Sequence, residues 1–239
     1  KAASTLRALK TSYLHRNCRY IKAPRRVFVF GFDEIFFRIG CGSMAISYKT
    51  VSLFPPVSWD HEPTLLDAAR QMDREALVKI FDVYSPSIYH YVLRLCNDSL
   101  MADYIVGDVF AKLLEHLSAG RGPSSNLRSY LYEIAYHLVV DEARFAHRSA
   151  PSEAVDLLPQ SGYSTLITVE ERVLFKTILQ AIRNNLTDDQ RHVIVLRFLE
   201  GFSVKETAAI VGKEISNVKV IQNRAITALR KALGNEGGK

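Results

Sequence analysis

A chain of 239 residues, 48% hydrophobic and 23% charged, is long enough for one sizeable core or two small ones, and its composition excludes disorder and collagen-like repeats. Cys18, Cys41 and Cys96 lie far apart, with no C-x-x-C pair and no histidine at ligand spacing, which excludes a disulfide framework or a structural zinc site and points to a reducing, cytoplasmic setting. The net charge of +6 suggests a polyanionic partner, but it is uneven: residues 1–43 carry nine Lys/Arg against two acids, and residues 203–239 carry seven against three.

In chain order, residues 1–43 hold neither a helical nor a strand period for long. The longest apolar stretch of the chain, Val27 to Ile46, contains Asp33, Glu34 and Arg38, so no membrane-spanning helix is expected. Met44 is the expected working start, with the residues before it read as upstream sequence; the rival reading is a basic targeting or nucleic-acid-binding arm. Residues 1–62 are therefore set apart from the fold.

From Pro63 to about Arg148 the apolar period is helical. It runs through Leu65, Leu66, Ala69 and Met72, then Leu77, Ile80, Phe81 and Tyr84, then Ile88, Tyr91, Val92 and Leu95. A third run, Ile105, Val106, Val109, Phe110, Leu113, Leu114 and Leu117, is closed by the turn-forming cluster Gly120 to Asn126. A fourth helix restarts near Leu127 and carries Leu131, Ile134, Ala135, Leu138 and Val139 on one face. Residues 149–168 are rich in Ser, Pro and Gly without a sustained period, which reads as a flexible linker.

Beyond it come Val169, Val173, Leu174, Ile178, Leu179 and Ile182 at helical spacing, then two capping boxes, Thr187-Asp-Asp-Gln190 and Ser203-Val-Lys-Glu206, each fixing a helix start. The helix opened by Ser203 is stopped about eight residues later by Gly212. A longer amphipathic helix begins near Ile215, with Val218, Ile221, Ala225, Leu229 and Ala232 inward and Lys219, Val220, Asn223 and Arg224 elsewhere. Short helix, glycine turn and longer helix with a polar outer face is the helix-turn-helix pattern, whose second helix enters the DNA major groove.

Leu186 to Gly212, continued by Asn217 to Ala225 and by Ala228-Leu-Arg230, resembles region 4 of extracytoplasmic-function (ECF) sigma factors of bacterial RNA polymerase. Glu75-Ala-Leu77, Phe81, Tyr84, Tyr89, the run Ala102 to Phe110, Tyr130 to Ala135 and Leu138 to Asp141 resemble region 2 of the same family. The resemblance implies an all-α fold of two small helical domains, a region 2 bundle over 63–148 and a region 4 helix-turn-helix over 169–239, joined by the linker at 149–168. It implies a protein that binds core RNA polymerase and promoter DNA and directs transcription initiation, with an anti-sigma protein as a further candidate partner.

The resemblance also assigns residues. Region 4 reads the minus-thirty-five element through Ser216, Asn217, Lys219, Val220, Asn223 and Arg224. Region 2 binds polymerase through Ile105, Val106, Asp108, Val109 and Phe110, and captures the minus-ten strand with Asn126, Arg128, Tyr132, Tyr136, His137 and Arg144. Stacking on aromatic rings beside cationic groups is the chemistry that holds single-stranded bases. Because Tyr132 and Tyr136 share a helix face, Tyr130 is expected to be the one packed into the fold. The chain departs from the family pattern at Tyr104, Gly107 and His137, and at Glu214 where a Ser cap is common, so a relative's promoter sequence is not transferable.

No Walker loop, H-E-x-x-H, G-x-S-x-G or dinucleotide fingerprint is present, so no enzyme, cofactor or metal is expected. His61, His90, His116 and His192 are scattered and read as surface or core residues. Two rival readings share part of the pattern: a helix-turn-helix regulator fused to a sensor domain, and a polymerase-binding interaction module without initiation activity.

Overall fold

The computed structural model describes residues 62–123, 125–146 and 169–234, and all regular structure among them is helical. The proposed start at Met44, the N-terminal segment and the linker at 149–168 lie outside the described residues. Two compact units are formed. The first holds α1 (Glu62–Arg70), α2 (Arg74–Cys96) as far as Val92, α3 (Ser99–Ser118) from Leu100, and α4 (Leu127–Ala146); the second holds α5 (Val169–Asn185), α6 (Asp188–Ile194), α7 (Val204–Ile210) and α8 (Ile215–Gly234).

The first unit is assembled by the apolar stripes read from the sequence. Ile80, Ile88, Tyr91, Val109, Leu131 and Tyr132 are wholly buried. The rings of Tyr91 and Tyr132 lie 5.2 Å apart and those of Phe81 and Phe110 4.7 Å apart, separations at which tilted aromatic pairs attract beyond their buried area. Helix α2 continues through Pro86 because that residue is exposed, leaving the carbonyl of Asp82, which loses its N–H partner, where water can reach it.

In the second unit both capping boxes form. The Thr187 N–H donates to Gln190 Oε1 at 3.1 Å; the Ser203 N–H donates to Glu206 Oε2 at 2.8 Å while Ser203 Oγ accepts the Glu206 N–H at 3.2 Å. Gly212 takes a φ of +62°, the left-handed conformation that lets the chain leave α7 and start α8 within four residues. Helix α8 packs on α5, α6 and α7 through Val218, Ala225, Ile226 and Leu229, all buried. Gln222 is buried beside them, and Ile221, expected inward, is half-exposed.

Helix α6 runs on as a π-helical turn, Val195–Leu199, in which the Glu200 N–H reaches back five residues to the Val195 carbonyl at 2.9 Å. Inserting a residue in this way turns the following side chains relative to the preceding ones. Val195, Leu196 and Phe198 face the core.

His192 on α6 is a core residue. Burial lowers its pKa from the ordinary 6.5 to about 4; Asp188 and Asp189 pull upward and Arg191 downward, but desolvation prevails. The unfolded chain therefore takes up a proton near pH 6.5 while the folded chain resists until about pH 4. Stability conferred by neutral His192 should be complete above pH 6.5 and fall as pH drops from there to 4, by about 3 kcal/mol. Urea unfolding followed by circular dichroism at pH 7.5 and 4.5 checks this: His192→Gln should lose less stability between the two values than the wild type, and equal losses would refute it.

Candidate nucleic-acid and polymerase interfaces

The outer face of α8 is set by what its inner face buries. With residues 218, 222, 225, 226 and 229 committed to the core, Ser216, Asn217, Lys219, Val220, Asn223, Arg224, Thr227 and Arg230 are left exposed. All six residues expected to face the minus-thirty-five element are thus accessible on one helix. Lys219, Arg224, Arg230 and Lys231 form no ion pair among the described residues, whereas Lys213, in the turn, is held by Asp189 at 3.1 Å. The face therefore combines unpaired cations for phosphate, two amides that both donate and accept, and an exposed valine that can meet a thymine methyl.

The lead into α4 is equally specific. Gly120 closes α3 with a φ of +68°, and the Arg121 N–H bonds to the His116 carbonyl at 2.8 Å. Asn126, with a φ of +54°, supplies the carbonyl that accepts the first helical N–H, from Tyr130, at 3.1 Å; asparagine tolerates that conformation better than most residues. Arg70 of α1 reaches across to donate to the Pro123 carbonyl at 2.6 Å, fastening the turn from outside its own sequence neighbourhood. Nothing local in the sequence marks Arg70, because its partner is 53 residues away.

The expected minus-ten residues divide. Asn126, His137 and Arg144 are exposed and Arg128 half-exposed, but Tyr132 and Tyr136 are buried, with 0% and 8% of their surface accessible. Tyr132 packs on Tyr91 and lies beneath the Arg128 guanidinium, 5.5 Å from its ring centre. Both tyrosines are packed into the core of the first unit. Tyr130, expected inside, is the half-exposed one; its hydroxyl pairs with His116 Nδ1. Partial burial and the nearby Glu133 raise its pKa, with Arg121 opposing. The expectation failed because α4 buries Leu131, Tyr132, Ala135 and Tyr136, consecutive pairs spread over a broad arc, as a helix with neighbours on two sides does. Arg144 pairs with Asp141 at 3.4 Å in an exposed contact that costs little to break.

The residues expected to contact polymerase are mostly buried as well. Ile105, Val106, Val109 and Phe110 are 0–5% exposed and belong to the core of the first unit. Of that set only Asp108 reaches the surface. The solvent face of α3 is instead made by Leu100 and Tyr104, 79% and 59% exposed, with Asp103, Gly107, Asp108 and Lys112 around them. The Tyr104 hydroxyl hydrogen-bonds Asp108, whose carboxylate raises the phenol's pKa.

Two helical units, the second carrying an exposed cationic reading helix after a glycine turn, define a DNA-binding protein of the helix-turn-helix class. Comparison with known families refines this. The model of sigma-70 region 2 matches residues 80–149 and that of sigma-70 region 4 matches residues 184–231. Among curated proteins, the ECF RNA polymerase sigma factor BldN of Streptomyces coelicolor is 27% identical over 175 residues, covering 72% of this chain and 66% of that relative. The ECF sigma factor SigX of Bacillus subtilis is 28% identical over 164 residues, covering 66% and 83%. Among solved structures, CnrH in complex with the cytosolic domain of CnrY aligns with a TM-score of 0.56 at 19% identity over 72% of this chain and 97% of that one. The sigma factor RpoE of Bartonella quintana, solved with the anti-sigma factor NepR, aligns with a TM-score of 0.51 at 24% identity over 69% and 98%. These two likenesses concern the fold. The chain belongs to the ECF sigma factors, which serve promoter recognition and transcription initiation.

A Cβ on Gly122 would meet Leu117 Cδ2 at 2.5 Å, and Leu117 is itself buried. Gly122→Ala is therefore expected to destabilise the first unit by about 1–3 kcal/mol. Urea unfolding measures it; an unshifted midpoint would show that the turn yields without cost.

Proposed function

We propose that the two units divide promoter recognition, with α8 reading the minus-thirty-five element and the exposed ridge of α4 meeting the minus-ten strand. The single observation that carries this is the outer face of α8, where exposed amides share one helix surface with cations that form no ion pair among the described residues. In this reading Asn223 and Asn217 address base edges, Val220 a thymine methyl, and Lys219 and Arg224 bases or phosphate. On α4 the residues that remain available are Asn126, Arg128, Tyr130, His137 and Arg144, with Tyr130 in place of Tyr132 and Tyr136 as the aromatic group. Core polymerase docks on the solvent face of α3, through Leu100, Asp103, Tyr104 and Asp108. The domain limits are those read from the sequence: 63–148 for region 2 and 169–239 for region 4, with 149–168 between them.

The chain acts by binding and not as an enzyme, and it works in the cytoplasm beside the polymerase. An anti-sigma protein is a natural partner, since RpoE of Bartonella quintana, a structurally similar sigma factor, was solved with the anti-sigma factor NepR.

Asp108→Arg should weaken binding to core polymerase at least tenfold with an unchanged melting curve, an effect in the range seen when a charge is reversed at an interface. Ile105→Val should do the opposite, lowering stability by about 0.5–1.5 kcal/mol while the folded protein binds core normally. Loss of binding in Ile105→Val alone would put the interface back on the buried stripe.

On DNA, Asn223→Ala should alter the upstream sequence that holoenzyme selects from a randomised element, at a cost of about 1–3 kcal/mol in discrimination. Arg230→Ala should weaken all promoters alike and reduce the salt dependence. The reverse outcome would mean that α8 is rotated on the DNA relative to this assignment.

A further inference from the structure

Gln222 is a polar residue on the inner face of the recognition helix, only 8% exposed among Val218, Ala225, Ile226 and Leu229. A buried amide is costly unless it is hydrogen-bonded, and this one is. Its Oε1 accepts from Arg197 Nε at 3.1 Å, and the same guanidinium donates through Nη1 to the carbonyl oxygen of Phe202. Phe202 immediately precedes Ser203, the cap residue of α7. Arg197 projects from the π-helical turn, where the extra residue re-aims the side chains that follow it.

We infer that Arg197 and Gln222 are positioning residues for promoter readout: one planar guanidinium ties the inner face of α8 to the lead into α7 and so fixes the roll of α8 about its own axis. The inference rests on α8 being the reading helix. Arg197 suits the task because its N–H groups diverge from a rigid plane, so two acceptors bound to it are fixed relative to each other. The other buried side chains of α8 are aliphatic, and their packing is non-directional. They hold the helix against the core but resist a small roll less than a directed hydrogen bond does. Gln222 is the direct neighbour of Asn223 and lies within one turn of Lys219, so a roll at residue 222 is delivered to both. With side-chain tips about 6 Å from the axis, a roll of roughly 10° moves them about 1 Å. That is enough to take a base-edge contact out of the 2.7–3.2 Å range of a good hydrogen bond. Phosphate contacts, made by long flexible cations, absorb the same shift.

The two residues thus affect specificity without touching DNA, which separates this role from simple stabilisation. The test uses holoenzyme assembled from core polymerase and the full chain. The ratio of affinities for the upstream element selected by wild type and for a scrambled duplex is compared in Gln222→Leu, Gln222→Glu and Arg197→Lys, alongside the melting curve of each. Gln222→Leu should lower the ratio about tenfold, the equivalent of one base contact, while scrambled-duplex affinity and salt dependence stay as in wild type. Gln222→Glu, which keeps an acceptor for Arg197, should restore the ratio. Arg197→Lys, which keeps the charge but loses the planar fork, should lower it, and it serves should Gln222→Leu fail to fold. A folded Gln222→Leu or Arg197→Lys with the wild-type ratio overturns the inference while leaving α8 as the reader. Wild-type holoenzyme that shows no upstream preference overturns both.

Discussion

A helix of 20 residues can commit only one face to a core, and in α8 the commitment of residues 218, 222, 225, 226 and 229 decides everything the second unit can do. Burial of Val218, Ala225 and Leu229, seven and four residues apart, leaves residues 216, 220, 223, 227 and 230 outward as a geometric necessity. The helix start is pinned by Gly212 behind it and the α7 cap before that, so the outward residues occupy a defined height as well as a defined angle. The DNA-facing chemistry is in this sense a by-product of packing. Asn223 and Lys219 are exposed because their neighbours are anchors.

The same rule reshapes the first unit. On α3 the most regular apolar residues are the ones the core takes, so the solvent face is what they leave behind: Leu100, Tyr104 and the acids beside them. Two large apolar groups left exposed one turn apart among charged residues are what a docking surface requires, since a buried stripe has no area left to give. On α4 the core takes more than a stripe, and only Tyr130 among the three tyrosines keeps an accessible edge. Its pairing with His116 ties that edge to α3, and Arg70 ties the preceding turn to α1. The start of α4 is thus supported from two other helices.

Much of this was determined by the sequence alone. Helix starts at Thr187 and Ser203, the stop at Gly212 and the turn from Gly120 to Asn126 are consequences of interactions within four or five residues, which the order of side chains encodes directly, and the apolar period also marked Val218, Ala225 and Leu229 as inner residues of α8. The exposed set on α8 followed because that helix has one apolar stripe and one polar face. What only the tertiary structure decided is where a residue's fate depends on a distant neighbour. Tyr132 is buried because Tyr91 lies against it; Ile105, Val106, Val109 and Phe110 are taken up by the core; Arg70 finds Pro123, and Arg197 finds Gln222 from a π-helical turn with no local signature. Helical spacing tells which residues share a face, but the number of faces a helix buries is set by how many other helices surround it, and that is a property of the assembled fold.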